Sequence, residues 1–424
     1  MVWVFGFTER IFMRTKVVVT GFGVVSPMGN DVNTFWQNVC AGKSGITTID
    51  RWDPSPMPTQ IAGLAPALDM PDMSSKDLRR RDLYTVYALA AADQAWKQSG
   101  IDISKEVPER CGCIVGSGIG GIQTLEESHT LFMEGGYRKL SPLTIPKLIS
   151  NMGTGEVAIR LGLCGPNKSI VTACATGAQS IGDAASLIRA GVVDVMVCGG
   201  AEASVTPYAM GGFCAMKAMS RRNDEPQRAS RPFDVDRDGF VMGEGAGVIV
   251  IESEAHATAR GAEILGEYAG GGETCDAYHI TAPRPDGTGA AAAMRAALDD
   301  AQVNASDIGY FNAHGTSTKH NDAAESLALK IIFGDAMPPV SSTKSMMGHL
   351  LGAAGSIEAI ICLLGIRDGI LPASINYDTP DPECDVNLVA NQAREAKYDV
   401  AMSNSLGFGG HNASLILKRY NGKQ

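Results

Sequence analysis

Apolar residues along the chain gather in short runs that end in glycine or small polar clusters, separated by longer stretches rich in alanine and leucine. Val17–Thr20 reads as a strand closed by Gly21-Phe22-Gly23, with a helix following over about Asn33–Ala41. Leu83–Ser99 reads as a long Ala-rich helix, and Cys111–Gly116 as a strand that runs into the glycine cluster 116–121.

The pattern then repeats. Residues 170–194 run from a strand through a small-residue turn into a helix ending Arg-Ala-Gly, and residues 340–369 follow the same plan. The next strands also correspond, Asp194–Gly200 with Asp399–Ser405 and Val241–Glu252 with Asn412–Lys418, while Cys111–Gly118 is matched by Ile308–Gly315. Four pairs in one order imply a duplication. The chain is expected to form two α/β halves dividing near Arg260, each a mixed sheet covered by helices. No Pro/Ser-rich linker separates them, so they should pack together. Residues 1–14, a short apolar stretch followed by basic residues, have the wrong order for a secretory signal. They read as an extension ahead of a functional start near Met13, with a short organelle-targeting segment as the alternative.

Composition sharpens this picture. Glycine supplies 49 of 424 residues, about 12% against a usual level near 7%, and charged residues only 19%. Disordered, collagenous and coiled-coil classes are thereby excluded, and close backbone approach at many points is expected. A net charge of −10 argues against a nucleic-acid partner, which needs a positive field. The 10 cysteines include no C-x-x-C pair and several lie in apolar runs, which suits reduced thiols in a cytoplasmic compartment. No window reaches the ~18–20 apolar residues of a membrane span.

Three reactive side chains fall at corresponding ends of the repeated strands, where open α/β sheets place ligands. Cys174 is expected to end a strand Ser169–Ala173 and open a helix over Ala175–Ala190, a helix N-terminus that should lower its thiol pKa. His314 ends Tyr310-Phe-Asn-Ala, and His349 precedes the small-residue segment Leu350–Gly355. As neutral imidazoles the two would donate hydrogen bonds to a developing anion. Gly407-Phe408-Gly409-Gly410 closes the last repeated strand; its N–H groups, with that of Cys174, suit an oxyanion hole, and Phe408 would cover the nucleophile. The triplet Gly116, Gly118, Gly121 matches a dinucleotide fingerprint but lies too deep in the chain to serve as one, and no histidine or cysteine spacing suits zinc.

At these residues the chain resembles the elongating β-ketoacyl-acyl carrier protein synthases of type II fatty acid synthesis, condensing enzymes of thiolase fold. The resemblance covers about Lys16–Lys418 and rests on Thr172-Ala-Cys174-Ala-Thr-Gly, Asn312-Ala-His314-Gly-Thr-Ser-Thr318, Ser342-Thr-Lys344-Ser, Gly348-His349-Leu-Leu-Gly-Ala-Ala-Gly355 and Asn404-Ser-Leu-Gly-Phe408-Gly-Gly410. It implies a duplicated thiolase-like α/β fold in five layers, α-β-α-β-α, with two mixed sheets and buried central helices. The halves would be 15–260, carrying the nucleophile and insertions for cap and dimer contacts, and 261–424, carrying both histidines. Cys174 would hold the acyl group, and His314 and His349 would stabilise the enolate formed when malonyl carrier protein loses carbon dioxide.

The resemblance also implies roles for supporting residues. Lys344 and Glu358 would form a buried pair near the histidines, with Glu358 at the substrate. Thr281, Thr316 and Thr318 would bind the phosphopantetheine arm, and Ile119 would line the acyl tunnel. Asn312, Glu358, Asn404 and Ser405 would form a monovalent-cation site. Lys76, Arg79, Arg80 and Lys217 would meet the acidic acyl carrier protein. No redox or organic cofactor is expected, and the chain would act as a homodimer. Met347, Leu406 and Lys319-His320 depart from the common pattern without removing a reactive group. A thiolase would need a second cysteine in 404–412, which has none, and a non-catalytic chain-length partner would lack Cys174. A polyketide ketosynthase would carry the same triad.

Overall fold

The structure, a computed structural model, describes residues 14–422. The expected N-terminal extension therefore lies, Arg14 apart, outside the described residues. Ten strands form the frame: β1 (Val17–Val25), β2 (Cys111–Gly116), β3 (Asn167–Lys168), β4 (Val195–Glu202), β5 (Gly245–Ser253), β6 (Gly266–Cys275), β7 (Tyr310–Asn312), β8 (Val340–Ser341), β9 (Val400–Gly407) and β10 (His411–Lys418). Their hydrogen-bonded order is β8-β7-β9-β10-β6-β1-β5-β4-β2-β3. In the first half β1/β5 and β5/β4 are antiparallel, while β4/β2 and β2/β3 are parallel. In the second half β6/β10 and β10/β9 are antiparallel, while β9/β7 and β7/β8 are parallel. The duplication inferred from the repeats is thus present strand for strand.

The two mixed sheets are joined. Val17, Val18 and Val19 of β1 pair with Tyr268, Glu267 and Gly266 of β6, so hydrogen bonding is continuous across both halves. An unpaired buried edge on either strand would leave backbone groups without partners, and the short ladder satisfies them.

Six helices complete the layers: α1 (Leu83–Ser99), α2 (Met152–Leu161), α3 (Thr176–Arg189), α4 (Thr288–Ala301), α5 (Lys319–Phe333) and α6 (Ala354–Asp368). α1 and α2 cover the outer face of the first half, α4 and α5 that of the second, and α3 and α6 pack on each other between them. α1 starts where the Asp82 carboxylate accepts from the Tyr84 N–H and stops at Gly100, whose φ is 67°. α6 is buried at every position from Ala354 to Ile366, which is why its sequence is apolar all round. The central helices cross closely because of glycine. A Cβ on Gly177 would lie 2.9 Å from the Gly352 carbonyl oxygen, and one on Gly355 would lie 2.8 Å from the Ala178 nitrogen.

Of the expected strands, Ser169–Ala173 is absent and Val241–Glu252 is shorter. Ser169–Thr172 is irregular, because the Ile170 carbonyl passes close beneath Gly116 and the Thr172 N–H bonds to the Thr176 hydroxyl (2.9 Å) instead of a ladder. Val241–Glu244 lies ahead of β5, and its backbone pairs with the turn that carries His349.

Candidate active site

Before each central helix the chain makes the same sharp turn. Ala173–Ala175 and Leu351–Ala353 are single turns of 3-10 helix, and each starts on a non-glycine residue at positive φ, 50° for Ala173 and 48° for Leu351. Such backbone costs roughly 1–2 kcal/mol, held here by the packing around it. The first turn carries Cys174. Its side chain borders a cavity of about 570 Å³, which is also lined by Ile119, Lys217, Thr281, His314, Thr316, Thr318, His349 and Phe408.

The two histidines reach this cavity from the second half. His314 leaves β7, and its backbone N–H and that of Gly315 donate to the two carboxylate oxygens of Glu325, each at 2.8 Å. His349 is clamped by its backbone: its N–H donates to the Val241 carbonyl (2.7 Å) and its carbonyl accepts from the Gly243 N–H (2.8 Å). The rings meet edge to face with centroids 5.2 Å apart, and Phe240 packs edge-on against His349. Burial, with the Lys344 ammonium nearby, holds both imidazoles well below their usual pKa. Both rings are therefore neutral. Nδ1 of His314 and both ring nitrogens of His349 have no hydrogen-bond partner among the described residues, so no protein group competes for them.

The thiol departs from expectation. Burial pushes Cys174 up to about 12, with the positive Lys344 opposing and Glu202 adding to the rise, so its surroundings favour the neutral thiol. The Phe408 backbone N–H acts on the thiol against burial, drawing its pKa down, and the Phe408 ring centroid stands 6.4 Å from that of Phe213. The glycine loop around Phe408 is anchored by Gly409 N–H to the Ile280 carbonyl (2.8 Å) and by Asp276 N–H to the Gly410 carbonyl (2.8 Å).

Residues 14–257 match the family model for the N-terminal domain of beta-ketoacyl synthases, and residues 265–378 match that for the C-terminal domain. The chain belongs to the beta-ketoacyl synthase family. It is 50% identical over 408 residues to 3-oxoacyl-[acyl-carrier-protein] synthase 2 of Staphylococcus aureus (strain COL), covering 96% of this chain and 98% of that one. A relative of the same name in Vibrio cholerae is 50% identical over 411 residues, covering 96% and 99%. Among solved structures, a beta-ketoacyl synthase from Burkholderia phymatum STM815 superposes with a TM-score of 0.90 at 33% identity, covering 96% of this chain and all of that one. A type II polyketide ketosynthase in complex with its acyl-carrier protein gives the same TM-score, identity and coverage. The fold is the duplicated thiolase-like fold of these synthases.

Supporting residues of this synthase divide into those at the cavity and those behind it. Thr281, Thr316 and Thr318 are at its wall, the last two with hydroxyls 2.9 Å apart. Lys344 and Glu358 are not. They form a fully buried ion pair behind the histidines, so Glu358, expected at the substrate, is instead occupied by the lysine. Burial raises the Glu358 carboxyl to about 7 while Lys344 draws it down. Lys217 stands at the cavity mouth, whereas Lys76, Arg79 and Arg80 are exposed on and just after the short helix Ser75–Leu78, away from that mouth within one chain.

The expected cation ligands are partly engaged. The Asn404 side chain oxygen accepts from Ser414 (2.5 Å), but Asn312 Oδ1, Glu358 Oε2 and Ser405 Oγ are buried without a partner. Three orphaned oxygens, one of them carboxylate, fit a hard cation. Glu325 was not anticipated. It lies on α5 in a run of small and polar residues, and the available signal is an acid one turn before the buried Leu329. Asp276, which accepts from Asn412 (2.7 Å) beneath the glycine loop, was also not anticipated; it follows the end of β6, and its partner is distant in the chain. Among the described residues no helix is long and apolar enough to cross a membrane.

Proposed function

We propose that the chain is a 3-oxoacyl-[acyl-carrier-protein] synthase 2, an acyltransferase that extends fatty acyl chains by decarboxylative Claisen condensation. The observation that carries this reading is one cysteine on a helix-opening turn facing two neutral imidazoles whose ring nitrogens lack partners.

In the first half-reaction the Cys174 sulfur attacks the thioester carbonyl of an acyl carrier protein. The thiol proton passes to the departing pantetheine sulfur, so the step consumes no net proton. The oxyanion faces the N–H groups of Cys174 and Phe408. Malonyl carrier protein then loses carbon dioxide, and the electron pair of the broken C–C bond becomes an enolate whose oxygen accepts from His314 and His349. The enolate carbon attacks the acyl-Cys174 carbonyl, the sulfur leaves, and a proton from water restores the thiol. The product is 3-oxoacyl carrier protein, two carbons longer. Atoms and electrons balance without a redox or organic cofactor. A monovalent cation would be held by the unpartnered oxygens of Asn312, Glu358 and Ser405 behind the histidines, beside the Lys344 ammonium that balances Glu358.

Two surfaces support the partners of this reaction. Lys76, Arg79, Arg80 and Lys217 offer positive charge to an acidic carrier protein on an otherwise acidic chain. The exposed apolar side chains Leu131, Phe132 and Met133 on helix Ile122–Gly135, with Tyr137 and Ile145 after it, suit burial against a second copy of the chain, giving a homodimer. All ten cysteines are free, which suits the cytoplasm.

The test is direct. Purified protein given acyl and malonyl carrier proteins should yield the 3-oxoacyl product, and Cys174→Ala should abolish acyl transfer. Unchanged turnover in that variant would sink the reading, and repeated extension of one chain would assign a polyketide role instead.

A further inference from the structure

The second of the two helix-opening turns holds a buried carboxylate where the first holds the reacting group. Cys174 is the middle residue of Ala173–Ala175, and Gly352 is the middle residue of Leu351–Ala353. The Gly352 N–H, the counterpart of the Cys174 N–H, donates to Glu202 Oε2 at 3.0 Å. Glu202 ends β4 and is wholly buried.

The same carboxylate holds the acyl side of the cavity. Gly118 N–H donates to Oε2 (2.8 Å), Ile119 N–H to Oε1 (3.3 Å), and the hydroxyls of Ser117 and Ser204 to Oε1 at 3.0 and 3.2 Å. Five donors converge and no cation is among them. A Cβ on Gly118 would lie 2.7 Å from Glu202 Oε2, and one on Gly352 would lie 2.4 Å from the Gly118 nitrogen and 2.8 Å from the same oxygen, so the two glycines meet backbone to backbone at this carboxylate. Ile119 lines the cavity, and Gly352 is three residues beyond His349.

We propose that Glu202 is a positioning residue for acyl-chain selectivity, tying the Gly118–Ile119 backbone to the turn that follows His349. With that backbone fixed, admission of a chain is decided by the Ile119 side chain, and His349 keeps its place whichever chain is bound. The role rests on the condensing reading above. Burial raises the proton affinity of Glu202, and the N–H donors oppose that rise, in keeping with an anion set among backbone dipoles.

The experiment compares the wild type with Glu202→Gln and Ser117→Ala. It measures kcat/KM for acyl transfer from carrier proteins bearing a short and a long chain, malonyl decarboxylation separately, and the thermal midpoint. Glu202→Gln turns an amide N–H₂ toward N–H donors on both sides. It should shift the long-to-short ratio by about tenfold or more and also slow decarboxylation. Ser117→Ala loosens the Ile119 side alone, since Ser117 also accepts from Gly120 N–H (2.9 Å), and it should shift the ratio while leaving decarboxylation within about twofold. A purely structural carboxylate would lower the midpoint and leave the ratio alone. An unchanged ratio in Ser117→Ala overturns the proposal, and that variant decides the matter if Glu202→Gln does not fold. A wild type that makes no 3-oxoacyl product would instead refute the proposed function.

Discussion

Lys344→Ala offers the sharpest separation of stability from chemistry. Lys344 and Glu358 are each 2% exposed, so removing the ammonium leaves a carboxylate in the core with no countercharge. Breaking a buried pair from one side typically costs about 3–5 kcal/mol, a large share of the stability of any domain. Glu358 has an escape, because burial already raises its carboxyl to about 7 and without the lysine it rises further. Its folded pKa then exceeds its unfolded one, the native state binds the proton more tightly, and stability falls as pH rises through that window. The loss in Lys344→Ala should therefore be smaller at pH 5.5 than at pH 8. Urea unfolding followed by fluorescence at both values measures it.

The double variant Lys344→Met with Glu358→Leu removes both charges and should recover most of that stability. It should not recover decarboxylation. Lys344 also lowers the pKa of His314 and His349, so without it both imidazoles gain protons at higher pH and the acid limb of the pH–rate profile moves up. A single variant as stable as the wild type at pH 8, or an acid limb that stays in place, would refute the reasoning.

Two further outcomes are expected. Hydrogen bonds to Glu252 and Glu106 raise His256 to about 9, so its contribution is complete below the unfolded value near 6.5 and lost as pH climbs through about 9; it amounts to about 1–2 kcal/mol after solvent screening. His256→Gln should be less stable than wild type at pH 6 and match it at pH 10 in urea unfolding, and an equal gap at both values would remove the assignment. Arg79→Glu with Arg80→Glu should weaken carrier-protein binding at least about tenfold at low salt and leave turnover of a small pantetheine thioester within about twofold; equal losses with both substrates would show that the patch does not recognise the carrier.

Legibility in the sequence followed the range of the forces involved. α1 was readable to the residue because its ends are local, an Asp82 cap and the left-handed Gly100. The motif residues Cys174, His314, His349 and Phe408 were readable as a set, and the fold brings all four to one cavity. Val241–Gly243 was misread as strand because its alternation is real but its partner is the His349 turn, more than a hundred residues away. The thiol was expected to be acidic from its place at a helix terminus, whereas burial, which no local motif encodes, acts in the opposite direction. The bridge between the sheets depends on three residues of β1 and could not be seen in the repeats.

The buried acids show why a duplicated chain can hide its own site. In each half the loop leaving the second strand enters the cavity and must present consecutive N–H groups to something other than water. In the first half Gly118 and Ile119 give theirs to Glu202 at the end of β4; in the second His314 and Gly315 give theirs to Glu325 in the middle of α5. The physical requirement is shared and the source of the acid is not. Strands and helices had to be retained in both halves because the layers pack only in that order, so they survive as a repeat. A carboxylate needs only to reach two N–H groups, and any neighbouring element serves. Once the two grips were independent, the loops were free to differ, one ending in apolar Ile119 and the other in His314 and Thr316. One cavity thereby has an apolar wall and a polar one at corresponding turns of the two halves.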